Sequence, residues 1–144
     1  MSGERLSRGQ VQVSEYRTVT EADIAAFAEL SGDRNPLHLD APAARAAGFA
    51  GPIAHGVLGI AIATGLVSEL GVTRNVLIAM LEVRWRFVAP VVAGDRLRVR
   101  LAIKEVRETS RPDRRLIILD VVLENAEGGV AQQGELVELV RVPE

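Results

Sequence analysis

The segment HGVLGIAIATGLVSELG, residues 55–71, decides the fold of this chain. Its apolar residues fall on nearly every face of a helix, so the sequence predicts a helix that is buried on most sides. About 16 residues at ~1.5 Å each make a rod of roughly 24 Å, the width of a small sheet. Small side chains let a strand backbone or a ligand approach such a rod closely. The small residues here are Gly56, Gly59, Ala63 and Gly65.

Downstream of this helix, from about Asn75, the apolar pattern changes to a period of two, which is typical of half-buried strands. Residues 83–87 and 97–104 alternate in this way, 116–123 are apolar at nearly every position, as in a central strand, and 136–142 form a fourth strand. Short turn sequences separate the strands, which implies antiparallel neighbours. The sequence therefore predicts an α+β fold: one antiparallel sheet curled around the long helix, with short helices at one end.

Upstream of the helix, a short strand is predicted at Val11 and Val13, after a polar leader of residues 1–10 that we expect to be flexible. Thr20 is a good helix N-cap, because acidic residues follow it in the first turn, and Gly32 ends that helical pattern. A second, shorter helix is predicted from Asp40-Ala41-Pro42 to Gly48. We expect residues 11–144 to form a single domain.

Between these two helices the stretch LSGDRNPLH, residues 30–38, crowds an acid, an amide and an imidazole together. Gly32 permits a left-handed turn, and Pro36 pushes Asn35 into extended geometry, so the chain folds back on itself. Asp33 and His38 then converge. A carboxylate and an imidazole at one point can activate a water molecule near neutral pH.

Composition excludes several kinds of function. The 144 residues carry a formal charge of -2 with no basic run, which argues against nucleic acid and against an anionic membrane surface as partners. Without cysteine there are no disulfides, catalytic thiolates or zinc–thiolate sites, and two histidines argue against a multi-histidine metal site. The apolar run Val57–Val67 is shorter than the ~20 residues of a membrane helix. With no signal-peptide pattern at the N-terminus, we expect a cytoplasmic protein.

The chain from about Thr20 onward resembles the MaoC-like (R)-specific enoyl-CoA hydratases. Residues 30–38, with Phe27 and Ala44, are similar to the whole hydratase signature of that family. Residues 52–56, PIAHG, are similar to its approach to the central helix, and 87–97, FVAPVVAGDRL, to a later strand turn. The resemblance implies the hotdog fold, in which a sheet wraps a central helix.

The resemblance also implies roles for individual residues. Asp33 and His38 would be the catalytic pair, and the Gly56 amide would bind the thioester oxygen as it gains charge. Asn35, His55 and Thr64 would support the site; Thr64 stands where some members place a serine that helps to fix the catalytic loop. The substrate would be a trans-2-enoyl thioester of coenzyme A or of acyl carrier protein, with no cofactor. A homodimer is expected, since a single curled sheet exposes an edge.

Simpler interpretations exist for each residue taken alone. Asp33 is a common turn former after glycine, and Gly56 is equally explained as a packing glycine. His38 and His55 could be structural, and aromatic residues such as Trp85 and Phe87 are more often core than pocket wall. At the level of function, a hotdog thioesterase, a dehydratase acting on acyl carrier protein and a non-catalytic acyl-binding subunit are the alternatives.

Overall fold

The computed structural model describes residues 7–142. Residues 1–6 of the predicted leader lie outside this range. The end of the leader is joined to the sheet: the Gly9 amide donates to the Ile103 carbonyl and the Ile103 amide donates to the Gln10 carbonyl, both at 2.9 Å. Regular pairing therefore begins about where the sequence places the first strand.

The sheet of the described chain has six strands, and every pairing between neighbouring strands is antiparallel, as the sequence predicts. The strands are β1 (Val11–Val13), β2 (Arg17–Thr18), β3 (Leu77–Phe87), β4 (Arg96–Glu108), β5 (Arg114–Asn125) and β6 (Val130–Arg141). Their order is β1-β4-β5-β6-β3, with β2 also on β4. The strand predicted to be central, β5, lies between β4 and β6. β3 forms one edge of the sheet.

The inner face of the sheet carries the core. The alternation predicted for residues 97–104 is confirmed, because Leu97 and Val99 are fully buried and Leu101 and Ile103 are 1% exposed. Burial of this kind contributes ~1.5–3 kcal/mol for each large aliphatic side chain.

The half-burial predicted for residues 83–87 is wrong for two of them. Val83 and Phe87 are 40% and 54% exposed, and only Trp85 packs partly against the core. The physical reason is position: β3 is an edge strand, and within the protomer little covers either of its faces. The period of two predicted a strand correctly, but it could not say whether anything lies against that strand.

Within residues 7–142, four helices lie between β2 and β3: α1 (Glu21–Ser31), α2 (Pro36–Leu39), α3 (Ala41–Ala46) and α4 (Gly56–Leu70). α1 begins with a capping box, in which the Thr20 hydroxyl accepts from the Asp23 amide while the Asp23 carboxylate accepts from the Thr20 amide. The hydrogen bond that the Asp23 carboxylate accepts from the Thr20 amide lowers the pKa of Asp23. α1 ends as predicted at Gly32, whose φ of 78° is left-handed. The sequence did not predict α2.

α4 is the long helix around which the sheet curls, and it packs on β4 and β5. The expectation that it is buried on most faces is only partly right. Leu58, Ile62 and Leu66 face the sheet and are at most 7% exposed, whereas Val57 is 59% exposed. One sheet covers only one broad side of a helix, so the other side is left uncovered in a protomer.

In the described chain, no helix is long and apolar enough to cross a membrane.

Candidate functional site

Asp33 and His38 lie side by side in the structure. Asp33 follows the left-handed residue that ends α1, and His38 is on the single turn of α2. Oδ2 of Asp33 is 3.9 Å from Nε2 of His38, and the two side chains are 55% and 12% exposed, respectively. This separation is too long for a direct hydrogen bond, but one water oxygen between the two atoms can contact both.

The carbonyl of Ile53 fixes the orientation of the His38 ring. Nδ1 of His38 is 2.7 Å from this oxygen, which can only accept, so Nδ1 carries the proton. In the neutral ring, Nε2 then presents a lone pair toward Asp33. Both groups facing the gap are therefore acceptors, and a water molecule there would donate a hydrogen to each.

The loop that carries Asp33 is held by short-range hydrogen bonds. The Ser31 hydroxyl accepts from the Asp33 amide at 3.1 Å, and Oδ1 of Asp33 accepts from the Asn35 amide at 3.2 Å. The Asn35 side chain accepts from the Leu37 amide at 3.0 Å and so caps α2. Asn35 thus shapes the turn that brings the pair together, while its own side chain is used locally.

His55 connects this loop to the long helix. Its Nε2 donates to the Asp33 carbonyl at 2.8 Å, and its ring stacks on His38 with centroids 3.8 Å apart. The Phe27 ring also packs against His55, with centroids 4.9 Å apart, and only 3% of His55 is exposed. His55 occupies the N-cap position of α4 but makes no side-chain cap. His55 therefore braces the loop that carries Asp33.

Gly56 is the first residue of α4 and follows His55 directly. No backbone or side-chain acceptor within residues 7–142 takes its amide, as expected for the first turn of a helix. A Cβ on Gly56 would lie 2.8 Å from Cε1 of Phe87, so a side chain at this position would require the Phe87 ring to move. The free amide and the positive end of the helix dipole suit a developing negative charge beside the Asp33–His38 pair.

Gln132 is a buried polar residue next to Gly56 that the sequence interpretation missed. It is 3% exposed on β6, and its Nε2 donates to the Gly56 carbonyl at 3.1 Å. The sequence did contain a signal for its burial. Gln132 is an even number of residues from the inward-facing Leu136 and Val140, so all three side chains lie on the same face of β6. The predicted fourth strand began at 136, whereas β6 begins at Val130, and Gln132 fell outside it.

The structure does not bring Thr64 to this group. Thr64 is eight residues after Gly56 on α4, or ~12 Å along the helix axis. Its hydroxyl donates to the Ala61 carbonyl of the same helix at 2.8 Å. Within one protomer, the role that the resemblance implies for Thr64 has no contact to support it.

Asp33, His38 and His55 each offer a ligand atom within 4.8 Å of the others, which is close enough together for one metal ion. The geometry is poor for that purpose. The two imidazole planes are 25° apart and stacked, so their lone pairs run side by side instead of converging on one ion. One nitrogen of each ring is also used by a carbonyl. The cluster is better suited to hydrogen bonding.

A cavity of about 310 Å³ lies beside Thr64, between the later part of α4 and β6. It is lined by Glu138, which is 3% exposed and has one carboxylate oxygen without a partner among the described residues. Burial raises the pKa of Glu138 above its usual value of 4.5, an effect that the Thr73 hydroxyl partly opposes. Arg74 lines the same cavity.

Glu138→Gln is expected to stabilise the protein at alkaline pH and to change its stability less in acid. Because the folded-state pKa is raised, the contribution of Glu138 is complete below 4.5 and is lost as the pH rises through the folded-state value. Glutamine does not ionise. Melting temperatures of both proteins from about pH 4 to about pH 8 measure this. A variant whose advantage stays constant with pH would contradict the assignment.

The family model described as "MaoC like domain" matches residues 6–121. An (R)-specific enoyl-CoA hydratase of Aeromonas caviae is 32% identical over 143 residues, 99% of this chain and 100% of that protein. Other relatives are longer, and the chain spans 30% of the length of one and 14% of another.

Solved structures agree with the fold described above. The MaoC-like dehydratase from Rhodospirillum rubrum superposes with a TM-score of 0.85 at 29% identity, over 96% of each chain. A Mycobacterium tuberculosis protein described as having a double hotdog fold superposes with a TM-score of 0.84 at 26% identity, over 96% of this chain and 43% of that one. The sheet and its central helix are a hotdog fold, as the resemblance implied.

Proposed function

Because this chain belongs to the MaoC-like domain family and sets an acid–imidazole pair beside a free helix N-terminus, we propose that it is an (R)-specific enoyl-CoA hydratase. It would add water across the C2=C3 bond of a trans-2-enoyl-CoA. The observation that carries the proposal is the 3.9 Å gap between Asp33 and His38, two acceptors facing each other at the start of α4. Coenzyme A is part of the substrate, and the reaction needs no further cofactor.

The water is placed by its two hydrogens. When it donates one to the Asp33 carboxylate and the other to Nε2 of His38, its lone pairs are left free to attack C3. Asp33 takes a proton from the water as the C3–O bond forms, and it returns a proton to C2 as the enolate-like intermediate collapses, so the carboxylate is regenerated. The sum is one water added, with hydroxyl on C3 and hydrogen on C2. Dehydration passes through the same transition state in reverse.

The charge that moves through the conjugated system collects on the thioester oxygen. The Gly56 amide would donate to it, assisted by the dipole of α4, which has no acidic residue in its first turn to compete. Loss of one such donor costs ~3 kcal/mol in transition-state stabilisation. Phe87 stands against Gly56, so a side chain at position 56 would first have to displace the Phe87 ring.

A single assay tests the reaction class. Crotonyl-CoA is mixed with the protein, the absorbance of the conjugated enoyl thioester is followed, and a thiol reagent reports free coenzyme A. We expect the absorbance to fall without thiol release, and chiral analysis to give the (R)-3-hydroxy product. Thiol release would indicate a thioesterase, and no change at any chain length would indicate an acyl-binding subunit. Faster turnover of crotonyl-acyl carrier protein than of crotonyl-CoA would make the carrier protein the substrate.

We also propose that two protomers associate through β3. This edge strand is long, and the large apolar residues on it and just after it are unusually exposed, at 40–56%. They are Leu77, Ile78, Met80, Leu81, Val83, Phe87 and Val88. Antiparallel pairing of two such edges would join two sheets and cover these side chains.

Leu81→Glu is expected to shift the protein from dimer to monomer. Leu81 is 56% exposed, so the charge costs the isolated protomer little, but it would be buried in a paired edge. Light scattering after size exclusion should give twice the 15.5 kDa chain mass for the wild type and a lower mass for the variant. Ser110→Glu, on the exposed turn between β4 and β5, is the matched control and should remain dimeric.

A further inference from the structure

Gln132 joins two elements that meet at the candidate site. Its Oε1 accepts from the indole Nε1–H of Trp85 on β3 at 2.8 Å, and its Nε2 donates to the Gly56 carbonyl at 3.1 Å. The amide cannot be turned around. In the opposite orientation, two donors would face each other at Trp85 and two acceptors at Gly56. Trp85 therefore fixes which end of the Gln132 amide meets the helix.

The helix itself is shaped for this contact. A Cβ on Gly59 would lie 2.2 Å from Nε2 of Gln132, so only glycine at this position lets the amide reach the first turn. Glycine in a helix costs ~1 kcal/mol relative to alanine. Gly65, later in α4, has nothing within 4 Å of the corresponding point. The close approach thus occurs at one end of the helix, where Gly56 lies.

We propose that Gln132 is a positioning residue that holds the Gly56 amide in line for the thioester oxygen. This inference rests on the proposed function. By holding the carbonyl of Gly56, Gln132 fixes the rotation of that residue about the helix axis, and its N–H points in a set direction. The N-terminus of α4 lacks a side-chain cap, so the contact from β6 supplies a restraint that helix starts usually obtain from their own N-cap.

The competing interpretation is that Gln132 only satisfies buried polar groups. The two interpretations differ in what they predict for turnover. A residue that merely packs changes stability and leaves kcat as it was. A residue that aims an amide at charge present only in the transition state lowers kcat while KM changes little.

Two independent substitutions remove the contact. Gln132→Leu deletes the amide, and Gly59→Ala leaves Gln132 intact but places a methyl group where its nitrogen lies. Each has a matched control. Gln133→Leu changes the neighbouring glutamine, which is exposed on the other face of β6, and Gly65→Ala makes the same change of residue in the same helix.

We expect Gln132→Leu and Gly59→Ala to lower the kcat for crotonyl-CoA by about tenfold or more, with KM within about twofold. Gln133→Leu and Gly65→Ala should match the wild type. The amide nitrogen resonance of Gly56 should move in the first two proteins and stay in place in the controls. If Gln132→Leu does not fold, Gly59→Ala still tests the contact.

Wild-type kcat in both contact variants, with only the melting temperature lowered, would show that Gln132 is a packing residue and overturn the proposal. An unmoved Gly56 resonance would overturn it as well. If the wild type does not hydrate crotonyl-CoA, the proposed function fails by that measurement alone. The Gly56 resonance would then still decide whether Gln132 positions the helix start.

Discussion

Asp33→Asn is expected to lower the kcat for hydration of crotonyl-CoA about a thousandfold, because the amide cannot take a proton from water. The substitution keeps the shape of the side chain, and its oxygen can still accept from the Asn35 amide. The fold and the loop should therefore survive. Initial rates from enoyl absorbance, with circular dichroism to confirm the fold, measure the effect.

Asp40→Asn is the matched control. Asp40 is an exposed acid at the start of α3, and its side chain makes no capping hydrogen bond. Its loss should leave turnover unchanged. Equal rates for Asp33→Asn and the wild type would remove Asp33 from the mechanism. His38→Ala should also be severely impaired, and a fully active, folded variant would make His38 structural.

Gly134→Ala is expected to destabilise the fold by about 3 kcal/mol or more. A Cβ at Gly134 on β6 would lie 1.9 Å from the carbonyl oxygen of Arg84 and 2.8 Å from Cε3 of Trp85. The obstructing atom belongs to the backbone of β3, so the conflict is relieved only by moving the strands apart. Chemical denaturation, followed by circular dichroism, gives the free energy of unfolding.

For Gly65→Ala, the same measurement is expected to show a change in the free energy of unfolding of the opposite sign. That site is helical and open, so alanine should raise the free energy of unfolding by up to about 1 kcal/mol. Because Trp85 also holds Gln132, Gly134→Ala should disturb turnover together with stability. A wild-type unfolding curve for Gly134→Ala would mean that β3 and β6 are further apart than described.

Local pattern predicted most elements of this fold and missed those that depend on tertiary context. The period of two located β4, and the nearly continuous apolar run located β5. Thr20 and Gly32 marked the ends of α1, because capping is a short-range effect. The four residues of α2 are too few to show a helical period. The exposure of Phe87 and Val57 depends on whether another part of the structure packs against them, and the local sequence does not show this.

The candidate site divides in the same way. The turn that brings Asp33 to His38 was predictable, since it is built from hydrogen bonds between residues close in sequence. The restraints on that turn and on the start of α4 were not predictable, because they come from residues far along the chain. The Ile53 carbonyl meets His38 across 15 residues, and the Gln132 side chain meets Gly56 across 76. The catalytic roles themselves stay predictions.

The strand order has a consequence for biosynthesis. β4, β5 and β6 follow one another and pair with their neighbours in sequence, whereas β3, among the described strands, pairs only with β6, which is synthesised after β4 and β5. Contacts between distant segments form slowly, since the loop between them must close first. Until β6 has been synthesised, β3 lacks its partner strand and Gly56 lacks its contact with Gln132. The nascent chain therefore carries its acid and its imidazole long before it can hold the helix that faces them.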